Sequence, residues 1–198
     1  MPPFLAQMLF ILIIINPISQ MMLIIAIAEK HPERDVSKLI YTGNLWAFVI
    51  TALIALGGLF LFTVVFQVQL PTLRLAGGLI LAGIGYLRVS RGVTFQMSKN
   101  TDLSEMRVVP FAVPMVVGPA TFAQAVTISA EYGVLFSLGV VASVLALNTG
   151  LMRLTLLLQR WINRNVVSAT IRLSGLVTMT IGLQMIYDSV VQLIQAAV

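Results

Sequence analysis

Two tetrapeptides carry most of the chemistry this sequence offers. They are Asn16-Pro17-Ile18-Ser19 and Gly118-Pro119-Ala120-Thr121, and each sits inside a long apolar run. A proline inside a helix has no N–H to donate, and its ring clashes with the carbonyl four residues back. Pro17 therefore frees the carbonyl of Ile13, and Pro119 frees that of Met115. Asn is a strong helix N-cap, Gly an acceptable one, and Pro is favoured at the first helical position. Both tetrapeptides thus read as points where one helix stops and a fresh one starts. A fresh start presents orphan N–H groups and about half a positive charge, which suits a carboxylate or another anion. The freed carbonyls of Ile13 and Met115 suit an ammonium group or a coupling cation. Ser19 and Thr121, two residues past their prolines, add hydroxyl donors. A proline in a membrane helix often does no more than kink it; two capped breaks favour binding over kinking.

Other polar residues inside apolar runs are Asn44, Gln124, Asn148, Gln184 and Asp188. Buried amides tie membrane helices together by about 0.6–2 kcal/mol each. Asn148 and Gln184 join the candidate substrate contacts. Asp188 falls late in its run, on the same side as Arg74, and its shallow depth points to an outer Asp188–Arg74 latch or plain solvation rather than to a proton relay. Gly78, Ala82 and Gly85, and likewise Ser174, Thr178 and Gly182, recur at spacings of three or four, which lets helix backbones approach closely. The chain has no cysteine and one histidine, so thiol chemistry is excluded and almost nothing is left for a zinc site. There are no paired acids and no nucleophile–base set, so no enzyme is expected. No cofactor is expected either, and coupling to H+ or Na+ stays open.

The elements that must hold these residues follow from composition. Of 198 residues, 59% are hydrophobic and 10% charged, against roughly 25% charged in a soluble domain. So few charges cannot cover a water-facing surface, but they suffice for one facing lipid. Six runs, at about 4–28, 39–66, 72–90, 109–130, 133–158 and 169–197, each supply the roughly 20 residues that cross about 30 Å of hydrocarbon. Residues 4–15 do not resemble a cleaved signal, because no basic residue precedes them and the run continues to Ala28. Lys30, Arg34, Lys38, Arg88, Arg91, Lys99, Arg107, Arg153, Arg160, Arg164 and Arg172 lie on one side, and Arg74 alone on the other. That asymmetry predicts cytoplasmic loops at 29–38, 91–108 and 159–168 and both termini outside. The net charge of +5 is spread over short loops and forms no nucleic-acid patch. Asn16 lies roughly 18 Å into its run and Gly118 roughly 15 Å at 1.5 Å per residue, so both breaks fall near mid-membrane.

The first three runs resemble the last three. The breaks are separated by 102 residues. The openings Leu73-Arg74-Leu75-Ala76-Gly77 and Ile171-Arg172-Leu173-Ser174-Gly175 are separated by 98. Three spans per half make the second half enter from the opposite face, giving an inverted repeat of the kind found in secondary transporters. The expected architecture is an all-α integral membrane protein of six transmembrane helices. It comprises a first three-helix repeat (1–92), a connector (93–108) and a second, inverted repeat (109–198), with helices 1 and 4 broken.

These residues also resemble the MarC family of six-span membrane proteins, which includes archaeal small neutral amino acid transporters. The family's first span carries Asn-Pro-x-Gly-x-x-Pro; Asn16 and Pro17 match, with Ser19 in place of the glycine and Met22 in place of the second proline. Its third span is matched by Arg74, Ala76, Gly77 and Gly78. Its fourth is matched by Pro110, Ala112, Pro114, Gly118 and Pro119, with Ala120 where glycine is frequent. Its sixth is matched at Arg172, Gly175, Gln184, Met185 and Asp188. The resemblance covers essentially the whole chain and implies a cell-membrane secondary transporter of small neutral amino acids such as glycine and alanine. Its partners would be that substrate and the membrane lipids, with oligomeric state open. An exporter of other small solutes or drugs and an anion channel are the alternatives.

Overall fold

In a computed structural model of the chain, residues 2–92 and 116–197 are described, and every regular element among them is helical. The first apolar run is two helices, α1 (Pro3–Ile15) and α2 (Pro17–Ala28), bent by 43° at Asn16. Helix α3 (Glu33–Phe60) begins earlier than hydropathy predicts, because Pro32 at its N-cap and Glu33 and Asp35 in its first turn favour a helix start there. It continues through one π-helical turn, Leu61–Val65. Helix α4 (Leu70–Arg91) ends at Gly92, whose φ of 73° forms a left-handed C-cap that returns its N–H to the Arg88 carbonyl. Helix α5 (Pro119–Tyr132) turns at Gly133, φ 89°, directly into α6 (Val134–Leu158). The last helix, α7 (Arg164–Ala197), starts before the expected residue 169. The connector 93–108 and the predicted fourth span up to Met115, with Pro110, Ala112 and Pro114, lie outside the described residues.

Among the described residues, four helices are long and apolar enough to cross a membrane, and counting the bent α1–α2 pair as one span gives five. The outward surface is itself apolar, with Leu45, Leu53, Phe60, Leu79, Leu173 and Leu176 all exposed. Hydrocarbon solvates such a surface, whereas water would drive it to aggregate.

The closest packing joins α4 and α7. A Cβ on Gly78 would lie 2.9 Å from the Gly182 carbonyl oxygen, and one on Gly182 only 2.5 Å from the Ala82 nitrogen. At the other end, a Cβ on Gly85 would lie 2.5 Å from the Met179 nitrogen, and one on Gly175 would lie 3.1 Å from the Gly85 oxygen. Low residue numbers on α4 therefore meet high ones on α7, and the two helices run antiparallel. Glycine removes the side chain that would hold the backbones apart in a medium that offers no hydrophobic drive of its own. A second, larger apolar core joins α1, α2, α3, α5 and α6 around Ile11, Ile24, Ile40, Ile128 and Val144.

Candidate functional site

Asn16 closes α1 and opens α2. Its backbone is left-handed (φ 53°, ψ 75°), its N–H returns to the Leu12 carbonyl at 2.9 Å, and its Oδ1 accepts the Ser19 N–H at 3.2 Å. Asn is among the few side chains that tolerate this backbone region, and Pro17 then pre-sets the helical φ of the next turn. The amide nitrogen, left over from capping, reaches across the bundle. It donates to Ser174 Oγ at 3.0 Å and to Thr178 Oγ1 at 3.5 Å, both on α7. Those hydroxyls donate in turn to the Ile171 and Ser174 carbonyls. Ser19 Oγ is buried at the new helix start and has no hydrogen-bond partner among the described residues.

The carbonyl end of α1 is completed by a side chain one turn on. Gln20 Nε2 donates to the Ile15 carbonyl at 3.2 Å. Its Oε1 accepts from Asn148 Nδ2 at 3.1 Å, and the same Asn148 nitrogen donates to Asn44 Oδ1 at 2.9 Å. All three amides are buried, and together they clamp α2, α3 and α6. Asn148, a candidate substrate contact, therefore supports the break from behind, although its Oδ1 has no hydrogen-bond partner among the described residues.

Arg88 is the residue that the sequence assigned to an anchor and the fold assigns elsewhere. It is 7% exposed, and its guanidinium donates to Thr178 Oγ1 at 3.3 Å, the hydroxyl that Asn16 also addresses. An arginine near a helix end ordinarily snorkels to water; this one points along α7 into the bundle. A signal for it was present, because Arg88 lies three residues past Gly85 on the face that carries Gly78 and Gly85. Gln20 and Ser174 were likewise absent from the predicted contacts.

Ile13, Asn16, Pro17 and Ile18 line one wall of a cavity of about 440 Å³, with Leu173 and Ser174 on α7 opposite. The second break lies beyond it. Gly118, in extended backbone (φ −138°, ψ −175°), caps α5 with no side chain, and Pro119 takes the first helical position. Ala120 and Thr121 are buried. Ala120 packs with Ile14, Leu81 and Met185 in one apolar cluster, so the two breaks are neighbours across that cluster without sharing the cavity. Met115 lies outside the described residues. Gln184 sits apart from both breaks, exposed on α7, and donates to Asp188 Oδ1 at 2.8 Å.

The Asp188–Arg74 latch does not form. Arg74 pairs with Glu131 and donates to Thr127 Oγ1 at 3.0 Å. Both partners lie on α5, which packs beside α4, whereas Asp188 is held by its own helix neighbour. Arg153 donates to Ser37 Oγ at 2.6 Å and covers the Tyr41 ring, pinning α6 to α3.

The profile of the MarC family of integral membrane proteins matches residues 1–194. A membrane protein of Pyrococcus horikoshii is 33% identical over 181 residues, spanning 91% of this chain and 90% of its own. The inner membrane protein MarC of Salmonella typhimurium is 24% identical over 200 residues, again 91% of this chain and 90% of the relative. A membrane protein of Aquifex aeolicus is 23% identical over 205 residues, 97% of this chain and 94% of the relative. No solved structure matches. With its apolar helical bundle and a match running almost from end to end, the chain belongs to the MarC family of integral membrane proteins.

Proposed function

We propose that the protein is a secondary transporter of small neutral α-amino acids, of the glycine and alanine type, working by alternating access. The observation that carries this reading is the Asn16 break. There the helix start at Asn16, Pro17 and Ile18 lines a cavity of about 440 Å³, within the roughly 300–1,000 Å³ of small-molecule sites, and the next residue, Ser19, carries a buried hydroxyl with no partner among the described residues. The break, the Asn16 amide and the nearby Arg88 guanidinium are all donors, as a carboxylate requires. The Gly118–Thr121 break supplies the second helix start across the shared apolar cluster. Its approach to the first would complete the site as the halves rock against each other.

Six spans in two inverted repeats support that motion. The packing of α4 on α7 favours the repeat: Gly78 and Gly85 are seven apart, as are Gly175 and Gly182, and the pairs Gly78–Gly182 and Gly175–Gly85 exchange under a two-fold axis across the antiparallel helices at a separation of 97, one residue from the 98 of the helix openings. In the same pattern α3 packs on α6, while α5 packs on α3 and α4 as α1 and α2 pack on α6 and α7. The charge bias further assigns both termini to the outside. In intact cells, a Lys99→Cys variant of this cysteine-free chain should resist an impermeant maleimide until the membrane is permeabilised. Labelling before permeabilisation would reverse the orientation.

The substrate class is tested by calorimetry on the purified protein. Glycine should bind, and glycinamide, which keeps the amine and lacks the carboxylate, should bind about 10- to 150-fold more weakly, the worth of one charge-assisted hydrogen bond. Equal affinity for the two would remove the carboxylate site.

A further inference from the structure

A second cavity, of about 460 Å³, opens at the other end of α4, bounded by α1, α4, α5 and α7. Its lining is unlike that of the break. It holds Arg74, Glu131 and Asp188 together with the amides of Gln7, Gln124 and Gln192. Arg74 and Glu131 form the ion pair and neutralise each other. Gln124 donates to Gln7 Oε1 at 2.8 Å. Asp188 has one neutral donor, the Gln184 amide at 2.8 Å, and no cationic partner among the described residues. Among the described lining residues, one guanidinium against two carboxylates leaves a single negative charge without a cationic partner, on the exposed Asp188 of α7 at a cavity also lined by Gln7, Gln124, Gln192 and Gln195.

The floor of this cavity is apolar. Phe10 and Met185 line it and also belong to the cluster that contains Ile14 and Ala120. Ile14 lies two residues before Asn16, and Ala120 two residues after Gly118. One apolar layer therefore separates a carboxylate-bearing cavity from the donor-bearing break. A molecule with an ammonium at one end and a carboxylate at the other is complementary to the two in series.

We propose that this cavity is a vestibule site for the primary ammonium group of the transported amino acid, with the Asp188 carboxylate as its ligand. The inference rests on the transport reading for its ligand, but the cavity's own requirement is the amine. It discriminates in the opposite sense from the break, which requires the carboxylate.

That opposition makes the two separable by experiment. Gln192 lines the cavity on α7, and these 198 residues contain no cysteine to confuse a Gln192→Cys variant. Its rate of modification by a positively charged methanethiosulfonate is measured in reconstituted vesicles. Glycine and glycinamide should both slow the reaction, while sodium acetate and sodium chloride at the same concentrations should not. Adding Asp188→Asn should raise the half-protecting glycinamide concentration about fivefold, the scale of one partly solvated ion pair. Absence of protection by glycinamide, equal protection by sodium chloride or acetate, or an Asp188→Asn background that protects as well as the parent would each overturn the vestibule site. Protection by glycinamide alone, with glycine inert, would keep the amine site and count against the amino acid transport reading.

Discussion

Asn16→Leu should destabilise the protein by about 3–5 kcal/mol. Three losses contribute. The cap to the Ser19 N–H is worth about 0.5–2 kcal/mol. The left-handed backbone at φ 53° costs leucine about 1–2 kcal/mol that asparagine largely avoids. The buried amide hydrogen bonds to α7 are worth about 0.5–1.5 kcal/mol each. Asn16→Gly separates fold from site. Glycine accepts the same φ, and as a cap it costs only a few tenths of a kcal/mol, so this variant should lose only the bonds to Ser174 and Thr178 while its cavity also lacks the amide. Thermal unfolding in detergent should therefore rank parent, Gly and Leu in falling order, and glycine binding should be weakened in the Gly variant even though it folds. A Leu variant as stable as the parent would show that the break does not depend on its cap.

The α4–α7 seam should be the other place where one substitution does most harm. Gly182→Ala puts a methyl 2.5 Å from the Ala82 nitrogen and 2.8 Å from the Gly78 oxygen, and a backbone cannot yield as a flexible side chain can. Overpacking of this kind costs about 1–3 kcal/mol. Gly182→Leu, which must part the helices, should cost about 3 kcal/mol or more. Gly83 and Gly150 are the controls. Gly83 lies on α4 and Gly150 on α6, each with nothing within 4 Å of an added Cβ, so alanine there should be neutral or should stabilise by up to about 1 kcal/mol through helix propensity. If Gly182→Ala and Gly83→Ala unfold at the same temperature, the glycines do not set the interhelix distance.

The sequence by itself determined the solvent, the helices and the places where they break. Lipid leaves an uncharged surface of leucine and valine as the only workable exterior, and each backbone polar group must be satisfied within its own helix. Runs of about 20 apolar residues can then be little else. Asn16-Pro17 interrupts α1–α2 because cap and proline chemistry act within one turn, and Gly118-Pro119 opens α5 for the same local reason. The small residues Gly78, Gly85 and Gly182 announced a close contact, because periodicity tells which face of a helix they share.

Periodicity does not tell which helix that face meets. Asn16 and Ser174 are 158 positions apart, and nothing local at either residue foretells their hydrogen bond. Arg88 read as a cytoplasmic anchor because it stands three residues from Arg91 at the end of an apolar run. Only the antiparallel seating of α7, set by glycines, brings Thr178 to its guanidinium and turns an anchor into a buried charge beside the break. Arg74 and Asp188 were correctly assigned to one end of the bundle. Their partners were decided by which helix lay within reach, and for Arg74 that was α5, where Thr127 and Glu131 stand one turn apart. Local chemistry fixes where a helix begins and what its end can bind; the company each polar group keeps is a long-range matter, settled when apolar faces find their closest packing.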